Sequence, residues 1–332
     1  MENKQPKVSI GILVWNGEDF IKLALDSLLA QDFKDFEIII SDNASTDNTE
    51  KICEEYIKKD RRIKYIKQKE NIGSDKNFSF VLDESSGEYF MWASYDDLWE
   101  PSYISEMIRV LDNNKSVVLA SCIKDEIDKN GNSIQTGPYY NGIFPKGTIF
   151  KKVLKFLSKD MDVHLMYGLM RTSVIKKIHL PINFERKNRL NRGTYAIDTL
   201  VSFRLIFEGD FYIVNKVLFH HRLMRKDTDL YLKSQKKSDI ILIFFSKVLK
   251  MFLNVHGYFA KVRGITSESD LNLYQKYFLF CITWIYEFNA FTGFLFYYFI
   301  SFLKFIHNKD YRKEYYDGAL KYNPVLKKNQ IK

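Results

Sequence analysis

The sequence predicts an α/β fold built on a mostly parallel sheet. Short β-rich runs alternate with stretches of helical periodicity from Val8 to Ser121, and each of the first four runs is followed by a polar cluster. Strands alternating with helices of this length make βαβ units, whose right-handed crossovers bring all strand C-termini to one edge.

The first strand is VSIGILV (8–14), and EDFIKLALDSLLAQ (18–31) follows with apolar residues at helical spacing. FEIIIS (36–41) and a helix over 47–59 repeat the plan, as do RIKYIK (62–67) with a helix over 74–84. GEYFMWAS (87–94) is the fourth strand, with a helix opening at Pro101, since proline suits a first helical position. SVVLAS (116–121) is the fifth. Residues 122–160 read as an irregular polar connection with KNGN and TGPYYNG turns, ending in a helix near 151–158. VHLMYGLMRTSVIKKI (163–178) reads as a strand feeding a helix. An amphipathic helix is expected from Asp198 to about Gly209, and FYIVNKVLFHHR returns as one strand or two.

At 332 residues the chain is long enough for one large domain with an appendage. Its three cysteines, odd in number and far apart, suggest neither a disulfide framework nor a cysteine-rich zinc site, which fits a reducing cytoplasm. The start MENKQPKVSIG has no apolar stretch of signal-peptide length, so export of the catalytic part is not expected. The net charge of +9 is unevenly placed: residues 230–332 carry 16 Lys and Arg against 7 Asp and Glu, and the rest is balanced. That region also holds the aromatic run 277–306. Basic and aromatic together, residues 277–313 suit an anionic membrane surface at the cytoplasmic face, with amphipathic helices anchored through Lys304, Lys309, Arg312 and Lys313. An ordinary helical subdomain is the structural alternative. A spanning helix is disfavoured because Phe288 to Leu303 gives only 16 residues without charge. Nucleic acid is not expected as a partner, because the aromatics form apolar runs and do not interleave with arginine.

The sheet edge gathers Trp15 and Asn16, Asp42 and Asn43, Asn71, and Asp96 with Asp97, where open α/β sheets bind ligands. SDNASTDNT (41–49) suits hydrogen bonding to a base or ribose, while Asp47 also suits a helix cap. Neither the dinucleotide fingerprint nor the P-loop is present, so phosphate must be handled otherwise. A divalent cation, Mg²⁺ or Mn²⁺, held by Asp96 and Asp97 and by the ligand's own phosphates is the alternative; a plain turn ahead of the next helix is the structural reading of that pair. Trp99, next to Asp97, is a ligand-side candidate and Trp92 a core residue. His220 and His221 adjoin on a strand and so face opposite ways.

VSIGILVWN, SDNASTDNT, ENIGSDKN and YDDLWEP, in this order and spacing, resemble the family-2 glycosyltransferases, nucleotide-sugar-dependent enzymes with the GT-A fold. The resemblance covers residues 7–122 and, more weakly, extends to about 226. It implies that Asp42 reads the base, usually uracil, with thymine or guanine as alternatives. It also implies that Asn71, Gly73 and Lys76 lie near base and ribose, and that Asp96 and Asp97 reach the ribose and, through the metal, the diphosphate. Asp198 matches the general base of inverting members, and Arg222 a basic position near the diphosphate. Two positions depart from the pattern: Ser94 stands where a first carboxylate is common, and Ile197 where a glutamate often precedes the base. The implied division is a catalytic domain over 1–228, with a nucleotide half to 122 and an acceptor half beyond it, then a basic helical region over 229–332. The implied partners are a nucleotide-sugar donor and a glycan or lipid-linked acceptor of cell-surface polysaccharide synthesis. A binding module that no longer transfers is the alternative from another class. A nucleotidyltransferase or a dehydrogenase would need a glycine-rich loop where VWNGEDF stands.

Overall fold

The computed structural model describes residues 5–136, 142–143, 147–157, 163–178, 197–223, 260, 262–269, 271–273, 275–281 and 283–284. The chain divides into two compact units, Met1–Phe184 with Ala196–Met224, and Glu185–Tyr195 with Arg225–Lys332.

The first unit opens with β1 (Val8–Val14), α1 (Ile21–Leu29), β2 (Phe36–Asp42), α2 (Thr49–Lys59), β3 (Ile63–Lys67), α3 (Ser74–Asp83) and β4 (Tyr89–Ser94). These strands pair in parallel in the order β3-β2-β1-β4, with Val8 opposite Phe36 on one side and Tyr89 on the other. A strand covered on both faces needs apolar residues throughout, and Ile10, Ile12, Ile38, Ile40, Met91 and Trp92 are all fully buried. Each such side chain contributes roughly 1.5–3 kcal/mol by leaving water. Trp92 takes the core position expected of it, edge-on to Phe90 at 4.9 Å, with its indole N–H donating to the Phe78 carbonyl at 3.0 Å.

Beyond β4 the structure departs from the sequence reading in four places. Between the acidic pair and the next helix lies a two-residue strand, β5 (Leu98–Trp99), and α4 (Tyr103–Asn113) begins two residues after Pro101. Fully buried Gln31 draws that start back onto α1: its Nε2 donates to the Glu100 carbonyl at 2.8 Å and its Oε1 accepts from the Ile104 amide at 2.9 Å. The fifth long strand, β6 (Val117–Ile127), runs six residues past the expected end and turns through Asp128 into β7 (Ser133–Thr136). The expected irregular connection therefore begins later: buried Ile123, Asp125 and Ile127 alternate with Lys124 and Glu126, a period of two obscured by charge. After β8 (Gly142–Ile143) and α5 (Ile149–Leu157), a 3₁₀ turn (Val163–Tyr167) leads to β9 (Leu169–Arg171), which inserts antiparallel between β4 and β6. Finally α6 (Thr172–Ile175), α7 (Ile197–Leu205) and the single long β10 (Asp210–Arg222) complete the unit. Leu200, Val201, Ser202, Phe203 and Leu205 are all buried, so α7 is enclosed on most sides and not a one-sided amphipathic helix.

The main strand order is β3-β2-β1-β4-β9-β6-β10-β5, with β7 paired to β6 and β8 to β10 off that path, and with β6 and β10 parallel to one another. Because β9 is antiparallel to both β4 and β6, it restores β6, and with it β10, to the direction of β1 to β4, while β5 runs antiparallel at the far edge. The C-terminal ends of β1, β2, β3, β4, β6 and β10 thus share one edge.

In the second unit residues 262–268, 273, 275–281 and 283–284 are helical. Asn272 and Gln275 form a reciprocal cap: the Gln275 amide donates to Asn272 Oδ1 at 2.9 Å and the Asn272 amide to Gln275 Oε1 at 3.2 Å. No helix among the described residues is long and apolar enough to cross a membrane. Residues 285–306 of the aromatic run and the basic segment to 313 lie outside the described residues.

Candidate active site

At the shared edge the loops after β1 and β2 are sewn together. Asn16, in the left-handed region at φ 51°, donates its amide to Ser45 Oγ at 2.9 Å and accepts from the Thr46 amide on Oδ1 at 2.9 Å. Asp47 accepts from the Thr49 amide at 3.0 Å and from the Glu18 amide at 3.1 Å. Burial works against its charge, but the Thr49 hydroxyl, which donates to it at 2.6 Å, and those amides outweigh it and hold the carboxyl below the usual range. The helix cap proper is Asn48, so Asp47 fastens two loops as well as a helix start. Trp15 stands exposed beside this seam.

The Asp42 carboxylate is fully buried, beneath the loop it was expected to project from. Its Oδ1 accepts from the Ser45 amide at 2.8 Å and its Oδ2 from the Tyr65 hydroxyl at 2.7 Å. Both oxygens are engaged within the protein, so the geometry gives Asp42 a hold on residues 43–45 and does not present it to a base. Asn43 carries the contact onward, with Nδ2 donating to Asn71 Oδ1 at 3.1 Å and Oδ1 accepting from the Ile72 amide at 2.8 Å. Asn71 also accepts from the amide of Gly73, whose φ of 86° suits glycine and turns the chain into α3. Lys76 is exposed on the first turn of that helix.

Asp96 and Asp97 follow β4 at the centre of the edge. The Ser94 hydroxyl donates to Asp96 Oδ1. Burial first, then the charge of Asp97, pushes the Asp96 carboxyl above the usual range, with Ser94 and His221 opposing. Asp97 is 1% exposed. Its Oδ1 accepts from the Arg222 amide at 2.8 Å and faces His221 Nδ1 at 3.2 Å, while Oδ2 has no hydrogen-bond partner. Burial by itself would lower the pKa of His221; donation to Asp97 and the charge there raise it above the ordinary imidazole value.

Trp99 lies elsewhere than expected, while Arg222 lies beside the acidic turn but spends its guanidinium on backbone carbonyls. Trp99 is buried in the core against Phe219, ring centroids 5.6 Å apart, because the antiparallel pairing of β5 with β10 turns it inward, away from the ligand side. Arg222 is a buried brace: Nε donates to the Asp96 carbonyl at 2.8 Å, and Nη1 to the Asp128 and Lys129 carbonyls at 2.9 and 3.0 Å. It binds the acidic turn to the tip of the β6–β7 hairpin. His220 and His221 do face opposite ways, His220 meeting Glu100 at 2.9 Å and Asp125 at 3.3 Å. The described part of α7 puts Asp198 at its second residue. Sequence reasoning missed Tyr65 under Asp42 and the pairing of His221 with Asp97, both made by strands distant in the chain.

Gly17 sets the spacing between the first loop and the acidic turn. A Cβ there would lie 2.5 Å from Val14 Cγ2 and 2.7 Å from Tyr95 Cδ2. Gly17→Ala is therefore expected to cost about 1–3 kcal/mol in stability by overpacking. Denaturant titration would measure the loss, and an unchanged value would show that Val14 and Tyr95 move aside freely.

Among the described residues no group of three or more His, Cys, Asp or Glu side chains is arranged to hold a metal by itself. Two carboxylates with one buried, unpartnered oxygen suit instead a hard cation that takes its remaining ligands from water and phosphate.

Comparison with known proteins agrees with this architecture. The profile of the family described as Glycosyl transferase family 2 matches residues 9–179. An uncharacterized glycosyltransferase of Rickettsia typhi is 39% identical over 269 residues, covering 73% of this chain and 80% of its own. The GalNAc(5)-diNAcBac-PP-undecaprenol beta-1,3-glucosyltransferase of Campylobacter jejuni is 27% identical over 256 residues, 75% of each chain. Among solved structures, S. aureus TarS 1–349 in complex with UDP-GlcNAc matches with a TM-score of 0.59 at 16% identity, over 85% of this chain and 73% of that one. The sheet order, the profile match and the Rickettsia relative lead to one statement: the chain belongs to family 2 of the glycosyltransferases and has their GT-A fold.

Proposed function

We propose that this glycosyltransferase moves a sugar from a UDP-linked donor to a glycan or lipid-linked acceptor of cell-surface polysaccharide, with inversion at the anomeric carbon and with Mg²⁺ or Mn²⁺. The observation that carries the reading is Asp97 Oδ2, a buried carboxylate oxygen without a partner at the edge where the ligand-facing loops meet. A fixed, desolvated oxygen of this kind is costly unless something occupies it. The relatives suggest the substrates: TarS has been crystallised with UDP and with UDP-GlcNAc, and the Campylobacter enzyme carries a PP-undecaprenol-linked glycan in its name.

In this reading the nucleotide half is residues 1–122 and the acceptor half 123–228. Asn43, Asn71 and the Gly73 turn shape the cleft for base and ribose, with Asp42 and Tyr65 fixing that shape from below. Asn16 locks the first loop against the second, and Lys76 supplies a positive charge at the α3 end. Asp97 Oδ2 and Asp96 hold the cation, while the Arg222 amide and His221 orient Asp97 through its other oxygen. When bound, the cation supplies charge compensation to the departing diphosphate. Asp198 receives the acceptor hydroxyl proton as the oxygen attacks from the face opposite the leaving group.

Thermal stabilisation by UDP, dTDP, GDP and CDP, each with and without Mn²⁺, tests the donor side. A shift with UDP that requires the metal is expected; a shift that ignores the metal, or none with any nucleotide, would sink the reading. The anomeric configuration of the product, read by NMR, tests inversion.

A further inference from the structure

We propose that the helical segment described at residues 273, 275–281 and 283–284 seats this protein on an anionic lipid surface through Leu273, Tyr277, Phe280 and Trp284. The four fall at i, i+4, i+7 and i+11, within a narrow arc of an α-helix, and are 85%, 67%, 47% and 46% exposed. Leu279 and Thr283, about a third and a quarter of a turn from the middle of that arc, are buried, so the helix has one face in the protein and one in solvent. The reciprocal Asn272–Gln275 cap fixes its start just ahead of Leu273, so the stripe begins at the first helical residue.

Charge and composition select the occupant. The Arg263 guanidinium lies over the Trp284 ring at 4.1 Å and near Phe280 at 6.0 Å, placing a cation at the border of the aromatic face. Lys276 sits on the same helix beside Tyr277. The stripe belongs to the part of the chain that holds all the positive excess, 16 basic against 7 acidic residues over 230–332. Tyrosine, tryptophan and phenylalanine bordered by arginine and lysine match the boundary between acyl chains and anionic headgroups, where an aromatic ring is half solvated and a cation has a counter-charge. A second copy of the chain fits less well, since pairing these segments would bring two cationic regions together.

The inference stands apart from the transfer reaction, because its readout is lipid binding and needs neither donor nor metal. Full-length protein is sedimented with phosphatidylcholine vesicles, with and without about 30% phosphatidylglycerol, in low salt and in about 0.5 M salt, where surface attraction is screened. Binding to the anionic vesicles alone, weakened by salt, is expected. The double variant Leu273→Ser/Tyr277→Ser, which removes the two most exposed side chains, is expected to lower the partition constant about tenfold or more, with the melting temperature unchanged. No vesicle binding, equal binding to both compositions, or full binding by the double variant would each overturn the proposal. Light scattering without vesicles provides the remaining check: a dimer that the double variant dissociates would assign the face to self-association instead.

Discussion

Asp97→Asn is expected to abolish the metal-dependent stabilisation by UDP and to lower transfer by at least about 10²–10³-fold, the scale of losing one strong electrostatic contact to a developing charge. The substitution is chosen for its shape. An asparagine oxygen can keep the place of Oδ1, accepting from the Arg222 amide at 2.8 Å, so β10 stays attached to the acidic turn. The amide nitrogen then falls where Oδ2 stood, a buried position with no partner, and a nitrogen carrying two hydrogens cannot ligate a cation. Some stability is also lost, about 1–3 kcal/mol for a buried donor without an acceptor. Asp97→Ala would confuse the two effects, because it also strips the Arg222 amide and His221 of their acceptor. If Asp97→Asn melts near the parent temperature and still shows the Mn²⁺-dependent shift with UDP, the cation is held elsewhere.

Asp198→Asn separates chemistry from binding. A positioned general base contributes roughly 10²–10⁴-fold in rate, and that factor should disappear while the nucleotide shift persists. Stability should hardly move. Asp198 is the second residue of α7, so asparagine forfeits only the roughly 0.3–1 kcal/mol of a carboxylate near a helix N-terminus, and the buried Leu200, Val201 and Phe203 that anchor the helix are untouched. Loss of transfer with an unchanged melting curve and an unchanged UDP shift is therefore the expected pattern. Undiminished transfer would remove Asp198 from the mechanism, and a large fall in melting temperature would make it a structural residue.

The parallel half of the fold was legible because its signals are local. Residues 8–94 alternate apolar runs with helical patterns, and each loop lies next to the strand that positions it. Recognition failed where a short strand takes its identity from a distant partner. Leu98–Trp99 and Leu169–Arg171 are too short to show any period, and only pairing with β10, or with β4 and β6, makes them strands. Trp99 was misplaced for that reason: beside Asp97 in sequence, it faces Phe219 in the fold. Arg222 and Asp42 teach a related lesson. Residue type and spacing single out both, but the sequence does not say whether a polar side chain meets a ligand or the protein's own loops. The carbonyls of Asp96, Asp128 and Lys129 take up Arg222, and Ser45 and Tyr65 take up Asp42.

The hydrogen bond from the Arg222 amide to Asp97 also bears on the order in which the protein is made. Asp97 leaves the ribosome long before the strand that secures it: 125 positions separate the two residues, and β5 has nothing to pair with until Phe219 and His220 have emerged. A nascent chain that has formed only β1 to β4 owns both carboxylates but neither donor to Asp97 and no guanidinium to tie the turn down. Closing so long a loop is entropically costly and slow compared with forming the neighbouring βα units. The acidic turn is thus completed among the last parts of the unit, and a chain interrupted before β10 carries every nucleotide-side motif with its central carboxylate unfastened.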